Sequence, residues 1–160
     1  MRLNTILVPT DFSPSSDAAL RLATALARDS QARIVIVHVA EPRPAYTVAG
    51  VYASLPTGNE FQEENEQLAK TAPPDPAISV SRRFIVGSPA EEIVRCANDL
   101  KADMIVMGTH GRTGLSHLLI GSVAEKITRH SPVPVLTVGT KDTRAAKERS
   151  LAELATIVNR

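Results

Sequence analysis

The chain has 160 residues, 43% of them hydrophobic and 3% aromatic, with a formal net charge of +1 and one cysteine. That length suits a single domain with a sizeable core. The near-balance of charge argues against a nucleic-acid protein built on a large basic surface, and the scarcity of aromatic residues removes stacking platforms for single strands. The lone Cys96 cannot close an internal disulfide. No apolar run is long enough to span a bilayer. The N-terminus, MRLNTILVPTDFS, lacks the long apolar region and cleavage site of a secretory signal. A cytoplasmic protein is expected, with neither nucleic acid nor membrane as partner.

Thr5 to Val8 is a short apolar run closed by Pro9 and predicts the first strand. Ser13-Pro14 reads as an N-cap followed by proline in the first helical turn, with Ala18, Leu22, Ala25 and Leu26 repeating at helical spacing. Gln31 to Val39 predicts the second strand. The segment from Glu41 to Asn59, which holds three prolines, two glycines and both tyrosines, is too long for a simple connection and reads as a mobile surface loop or an ordered lid. A mostly polar helix follows from Glu60 to Ala69. Ile78 to Val86 predicts a third strand that alternates at first, so one face is expected to be wet.

Ser88-Pro-Ala-Glu91 fits a capping box, and Ala90, Ile93, Val94, Ala97 and Leu100 form a buried stripe behind it. Cys96 borders that stripe and reads as a small buried residue rather than a reactive thiol. Asp103 to Met107 predicts the fourth strand. A helix carrying Leu119, Val123 and Ile127 on one face ends by Ser131-Pro132, and Pro134 to Val138 predicts the fifth strand. Strands and helices that alternate in this way imply an α/β, Rossmann-like fold: an open parallel sheet with right-handed crossovers. This domain is expected over 1–140. Residues 141–160 read as an amphipathic helical extension, with Leu151, Leu154, Ala155 and Val158 on one face.

In such a sheet ligands bind beyond the strand C-termini. Three stretches lie there: Pro9-Thr10-Asp11, Val39-Ala40, and GTHGRTGLSHLLIGS from Gly108 to Ser122. The last contains Gly108, Gly111, Gly114 and Gly121. Glycines let backbone N–H groups share a concavity that suits an anion, and the next helix N-terminus adds donors and partial positive charge. Ser122, Arg112 and His110 supply polar and basic groups. A phosphate cradle made largely of main chain is expected. A Walker A loop, a GxGxxG turn after the first strand, a GxSxG elbow and metal-ligand spacing around His110 or His117 are all absent. Asp11 also suits the dipole of the helix that follows it. His38 reads as a hydrogen-bonded structural residue.

Gly108-x2-Gly111-x9-Gly121-Ser122 resembles the ATP-binding motif of the universal stress protein family. Ile6 to Ser13 with Ser16 and Ala18-Ala19, Ile36 to Val39, Gly87 to Ile93, Ala102 to Gly108 and Ser131 to Val135 resemble its other segments in order. The resemblance covers roughly 3–138 and implies the family's ATP-binding branch, since the glycine motif is complete. It implies a five-stranded parallel sheet in the order 3-2-1-4-5 with helices on both faces. For the nucleotide it implies Asp11, with Pro9 and Thr10, at the ribose or adenine side, and the main chain of Val39 at the adenine edge. Met107 and Gly108 would line base and sugar. Gly111, Arg112, Gly121, Ser122 and Val123 would surround the phosphates, with His110 beside them. ATP with Mg²⁺ is the expected cofactor. The expected role is a stress-response switch or adaptor with at most slow hydrolysis. Two alternatives stand beside it: an ATP hydrolase or nucleotidyl-transferring enzyme using Arg112 or His110, and a nucleotide-free dimeric adaptor. The resemblance further implies a homodimer through the fifth strand, Val133 to Val138, and a downstream protein partner of unknown identity.

Overall fold

The computed structural model describes residues 3–42, 47–48, 51–52, 60–109 and 121–139. Its elements in chain order are β1 (Thr5–Pro9), α1 (Pro14–Ser30), β2 (Arg33–Ala40), the two-residue strands β3 (Thr47–Val48) and β4 (Val51–Tyr52), α2 (Gln62–Lys70), β5 (Val80–Val86), α3 (Pro89–Asp99), β6 (Met104–Gly108), α4 (Ser122–His130) and β7 (Val135–Val138). Five strands form one all-parallel sheet in the order β5-β2-β1-β6-β7. Numbered by themselves, these strands run 3-2-1-4-5, as expected. β3 and β4 pair antiparallel within the long segment that precedes α2. The expected extension at 141–160 lies outside the described residues.

The continuous apolar runs have the physical cause foreseen for them: both sheet faces are covered. Successive side chains of a strand point to opposite faces. Ile6, Val8, Ile34, Ile36 and Val106 therefore pack with Ala19, Ala23 and Ala27 of α1 and Leu68 of α2. Leu7, Val35, Val37, Ile105 and Met107 pack on the other face with Ile93 and Ala97 of α3 and Ile127 of α4. Each fully buried Val, Leu or Ile contributes about 1.5–3 kcal/mol. β5 is the exception, with Ser81, Arg82 and Arg83 exposed at the sheet edge. The alternation predicted one wet face; three consecutive exposed residues show that both faces are open there, as an edge strand allows.

Two local expectations need correction. On α1 the buried face is Ala19, Leu20, Ala23, Thr24 and Ala27, whereas Leu22 is 37% exposed and Ala25 is exposed. The true stripe is shifted round the helix from the one that counts leucines. Small side chains let the helix backbone approach the sheet, and Thr24 satisfies its hydroxyl on the Leu20 carbonyl at 2.7 Å, so burial carries no orphaned donor. Leu26 still packs against the same core from its edge. On α3, Ser88 does sit at the N-cap with Pro89 next, but its side chain makes no capping hydrogen bond. Without that bond the reciprocal box does not form.

α1 has the cap its sequence suggests: the Ser16 N–H donates to Ser13 Oγ at 3.3 Å, and Gln31 closes the helix in the left-handed region at φ 59°. At the N-terminal ends of the strands, Asp103 ties β1 to β6. Its carboxylate accepts the Asn4 and Thr5 N–H groups at 2.7 and 2.9 Å. Among the described residues no helix is long and apolar enough to cross a membrane.

Candidate functional site

Because all five strands run the same way, their C-termini meet along one edge. A cleft of about 610 Å³ opens there, between the ends of β2, β1 and β6 and the start of α4. It has two walls of different construction.

The first wall is the turn from β1 into α1. The Thr10 N–H donates to the Val37 carbonyl at 2.9 Å, which extends the β1–β2 pairing by one residue. His38 Nδ1 lies 2.8 Å from the Thr10 carbonyl. A carbonyl only accepts, so Nδ1 carries the proton. The His38 ring, 5% exposed, lies between Phe12 at 4.5 Å and Phe84 at 5.6 Å. This is the hydrogen-bonded structural histidine that the sequence suggested. Phe12 has φ 64°, a left-handed conformation rare for a bulky residue. Its N–H donates to Thr10 Oγ1 at 3.1 Å, and its ring packs in the core. The backbone reversal carries Asp11 to the cleft. Asp11 Oδ1 accepts the Ser13 N–H at 3.1 Å and the Ser13 hydroxyl at 2.6 Å.

In the second wall, between β6 and α4, the described contacts run through backbone. A Cβ on Gly108 would lie 2.6 Å from Ser15 Oγ and 2.8 Å from the Ser15 carbonyl carbon. The glycine thus lets β6 run directly under the first turn of α1. The Gly121 N–H donates to the Thr109 carbonyl at 2.8 Å, and the Thr109 N–H donates to the Val138 carbonyl at 2.9 Å. Gly121 is the N-cap of α4 and supplies no side-chain cap. The first N–H groups of a helix have no intrahelical partner, and among the described residues no side chain caps those of α4, whose positive dipole end faces the cleft.

Nine of the residues singled out from sequence line this one cleft: Pro9, Thr10, Asp11, Val39, Met107, Gly108, Gly121, Ser122 and Val123. His110, Gly111 and Arg112 lie outside the described residues. The sequence reading missed Ser16, Glu41, Glu64, Pro89, Ile93 and Thr109, which also line it. Thr109 and Glu41 directly follow strands, a signal that could have found them. Glu64 sits in the first turn of α2, in a polar run that reads as solvent-facing, and nothing local marks it. Asp11, Glu41 and Glu64 put carboxylates at the β1, β2 and α2 side, opposite the α4 N-terminus. Cys96 stands apart on the buried face of α3, where burial pushes its thiol up against the opposing pull of the nearby Arg83 guanidinium.

The sequence pattern of the universal stress protein family matches residues 2–139. The universal stress protein MJ0577 of Methanocaldococcus jannaschii is 33% identical over 154 residues, covering 86% of this chain and 95% of that protein. A solved structure of MJ0577 aligns with a TM-score of 0.70 at 32% identity, covering 89% of this chain and 99% of that one. A Thermus aquaticus universal stress protein, encoded in the 3' region of a QAH/OAS sulfhydrylase, is 34% identical over 143 residues, covering 84% of this chain and 97% of its own. A universal stress protein solved in complex with cAMP aligns with a TM-score of 0.60 at 30% identity, covering 88% of this chain and all, 100%, of that one.

Proposed function

The chain belongs to the universal stress protein family, and from that premise we propose that its cleft binds ATP and that binding, rather than turnover, is its output. The observation that carries this reading is the polarity of the cleft. Carboxylates of Asp11, Glu41 and Glu64 line one side, and uncapped α4 donors line the other. A phosphate chain would be repelled by the first and held by the second. A nucleoside offers neutral hydrogen-bond donors, which suit the carboxylate side. The size agrees, since about 610 Å³ falls within the usual range for small-molecule sites. The relative solved with cAMP gives support from the same family.

The donor set also fits a magnesium ion that arrives with the nucleotide. Among the described residues no group of three or more His, Cys, Asp or Glu could hold a metal. Mg²⁺ commonly keeps several waters and is bound through substrate phosphates rather than a protein cage. It would supply charge neutralisation on the phosphates.

Slow hydrolysis is part of the same proposal. It is supported by the described residues at the α4 end of the cleft, Gly108, Thr109, Gly121, Ser122, Val123 and Ala124, none of which is a general base at neutral pH. With chemistry slow, bound ATP would act as a switch or adaptor state for a stress response. The edge position of β7, with Leu136 36% exposed, supports a second copy pairing antiparallel along Val135–Val138. Pro132 and Pro134 have no N–H, so pairing would start after them.

Calorimetric titration with Mg-ATP, followed by a single-turnover assay, tests the reading. Saturable binding with a turnover half-life of many minutes is expected. Rapid turnover would replace the switch with an ATP hydrolase, and no heat or thermal shift with ATP would leave only an adaptor. Sedimentation at micromolar concentration should give a dimer.

A further inference from the structure

The hydroxyls of the β1–α1 turn form a directed chain. Ser13 Oγ is 2.6 Å from Asp11 Oδ1, 3.0 Å from Ser15 Oγ and 3.3 Å from the Ser16 N–H. An ionised carboxylate only accepts, and a hydroxyl has one proton to give. The Ser13 proton therefore goes to Asp11. Ser13 then accepts, from the Ser16 N–H and from the Ser15 hydroxyl. The Ser13 N–H adds a second bond at 3.1 Å, also to Oδ1. Both bonds fall on one carboxylate oxygen, and among the described residues Oδ2 accepts none. Asp11 thus enters the cleft with its rotation fixed and one oxygen uncommitted.

The sheet order says what that oxygen would meet. Asp11 follows β1, which lies between β2, ending near Val39, and β6, ending at Gly108 beside the α4 start. Given the proposed nucleotide, with base towards β2 and phosphates at α4, the sugar crosses the end of β1. We infer that Ser13 is a positioning residue for nucleotide recognition: its hydroxyl and N–H hold Asp11 so that the other carboxylate oxygen accepts from the ribose hydroxyls. This rests on the nucleotide reading above.

Ser13 also caps α1, so a simple loss of affinity would not separate the two roles. Glycine does, because it lacks the hydroxyl yet replaces serine at an N-cap for only a few tenths of a kcal/mol. The experiment measures Mg-ATP and Mg-2′,3′-dideoxy-ATP binding to the unaltered chain, Ser13→Gly, Ser13→Thr and Asp11→Ala, with thermal melts alongside. ATP should bind the unaltered chain about tenfold tighter than the dideoxy analogue, the scale of one charge-assisted hydrogen bond. Ser13→Gly should bring that ratio close to one while the dideoxy affinity holds. Ser13→Thr, which keeps the hydroxyl, should restore it. Adding Ser13→Gly to Asp11→Ala should change nothing more. An unchanged ratio in Ser13→Gly, or equal losses for both nucleotides, overturns the inference and leaves Ser13 a cap. If neither nucleotide binds the unaltered chain, the nucleotide reading itself has failed.

Discussion

The two walls of the cleft solve the same problem with opposite materials. The β1–α1 wall is made of side chains: a left-handed Phe12 held by its ring, a histidine bonded to a carbonyl, and hydroxyls that aim a carboxylate. The β6–α4 wall, in its described residues, turns on backbone, with glycines where a Cβ would meet Ser15 or the Thr109 carbonyl. A side-chain wall fails by losing a partner, whereas a backbone wall fails by gaining an atom. The walls also touch, because Ser15 Oγ, the atom a Cβ on Gly108 would strike, is hydrogen-bonded to Ser13.

The sharpest way to break the backbone wall is Gly108→Val. The clash includes the Ser15 main chain, which a helix cannot move cheaply, so a loss of about 3 kcal/mol is expected in chemical denaturation. Nucleotide affinity should fall with it, through the shared Ser15. Gly121→Val comes next. Its Cβ would meet the Thr109 carbonyl at 3.1 Å, a contact the neighbour can relieve by shifting slightly. Folding should survive, while Mg-ATP affinity drops about a hundredfold, or about 2.7 kcal/mol, as bulk enters the phosphate end. Calorimetry on a variant with an unchanged melt would sharpen the contrast; full affinity there would mean that the backbone does not hold the phosphates. On the side-chain wall, Asp11→Ala should cost about tenfold in ATP affinity, about 1.4 kcal/mol, since one interaction is removed and none is blocked.

The smallest effect should lie at the other end of the sheet. The Asn4 and Thr5 N–H groups hold the Asp103 carboxyl below the usual carboxylate range. A lowered folded pKa stabilises the fold fully above the unfolded value of about 3.9, and the gain is lost as pH falls through the lower folded value. Solvent screening at this partly exposed site keeps the contribution to about 1 kcal/mol. Asp103→Ala should therefore flatten the acid limb of a stability–pH profile and leave ATP affinity unchanged. A change in affinity would mean that the two ends of the sheet are coupled.

Much of the cleft was legible because its parts are short and local. Ile6 to Ser13 carries the end of a strand, a cap and a proline within eight residues, and each acts on its immediate neighbours. The same locality explains the errors. The inward face of α1 was misjudged because apolar residues recur at helical spacing on more than one of its faces, and the sheet selected the one carrying Ala19, Leu20, Ala23 and Ala27. The capping box at Ser88 had the right letters, yet its hydrogen bond does not form.

By itself the sequence determined the order of the five parallel strands and the helices between them, the two-sided burial of the central strands, and the close backbone approach at Gly108 and Gly121, because periodicity, caps and glycines act within a few residues; the short β3–β4 pair was not among its expectations. Only the tertiary structure decided which residues share the cleft. Gly108 has meaning only once β6 runs beneath Ser15, and Glu64 becomes a cleft residue only because α2 crosses the sheet where it does. Those contacts join segments far apart along the chain, and packing, which acts through space, is the force that brings them together.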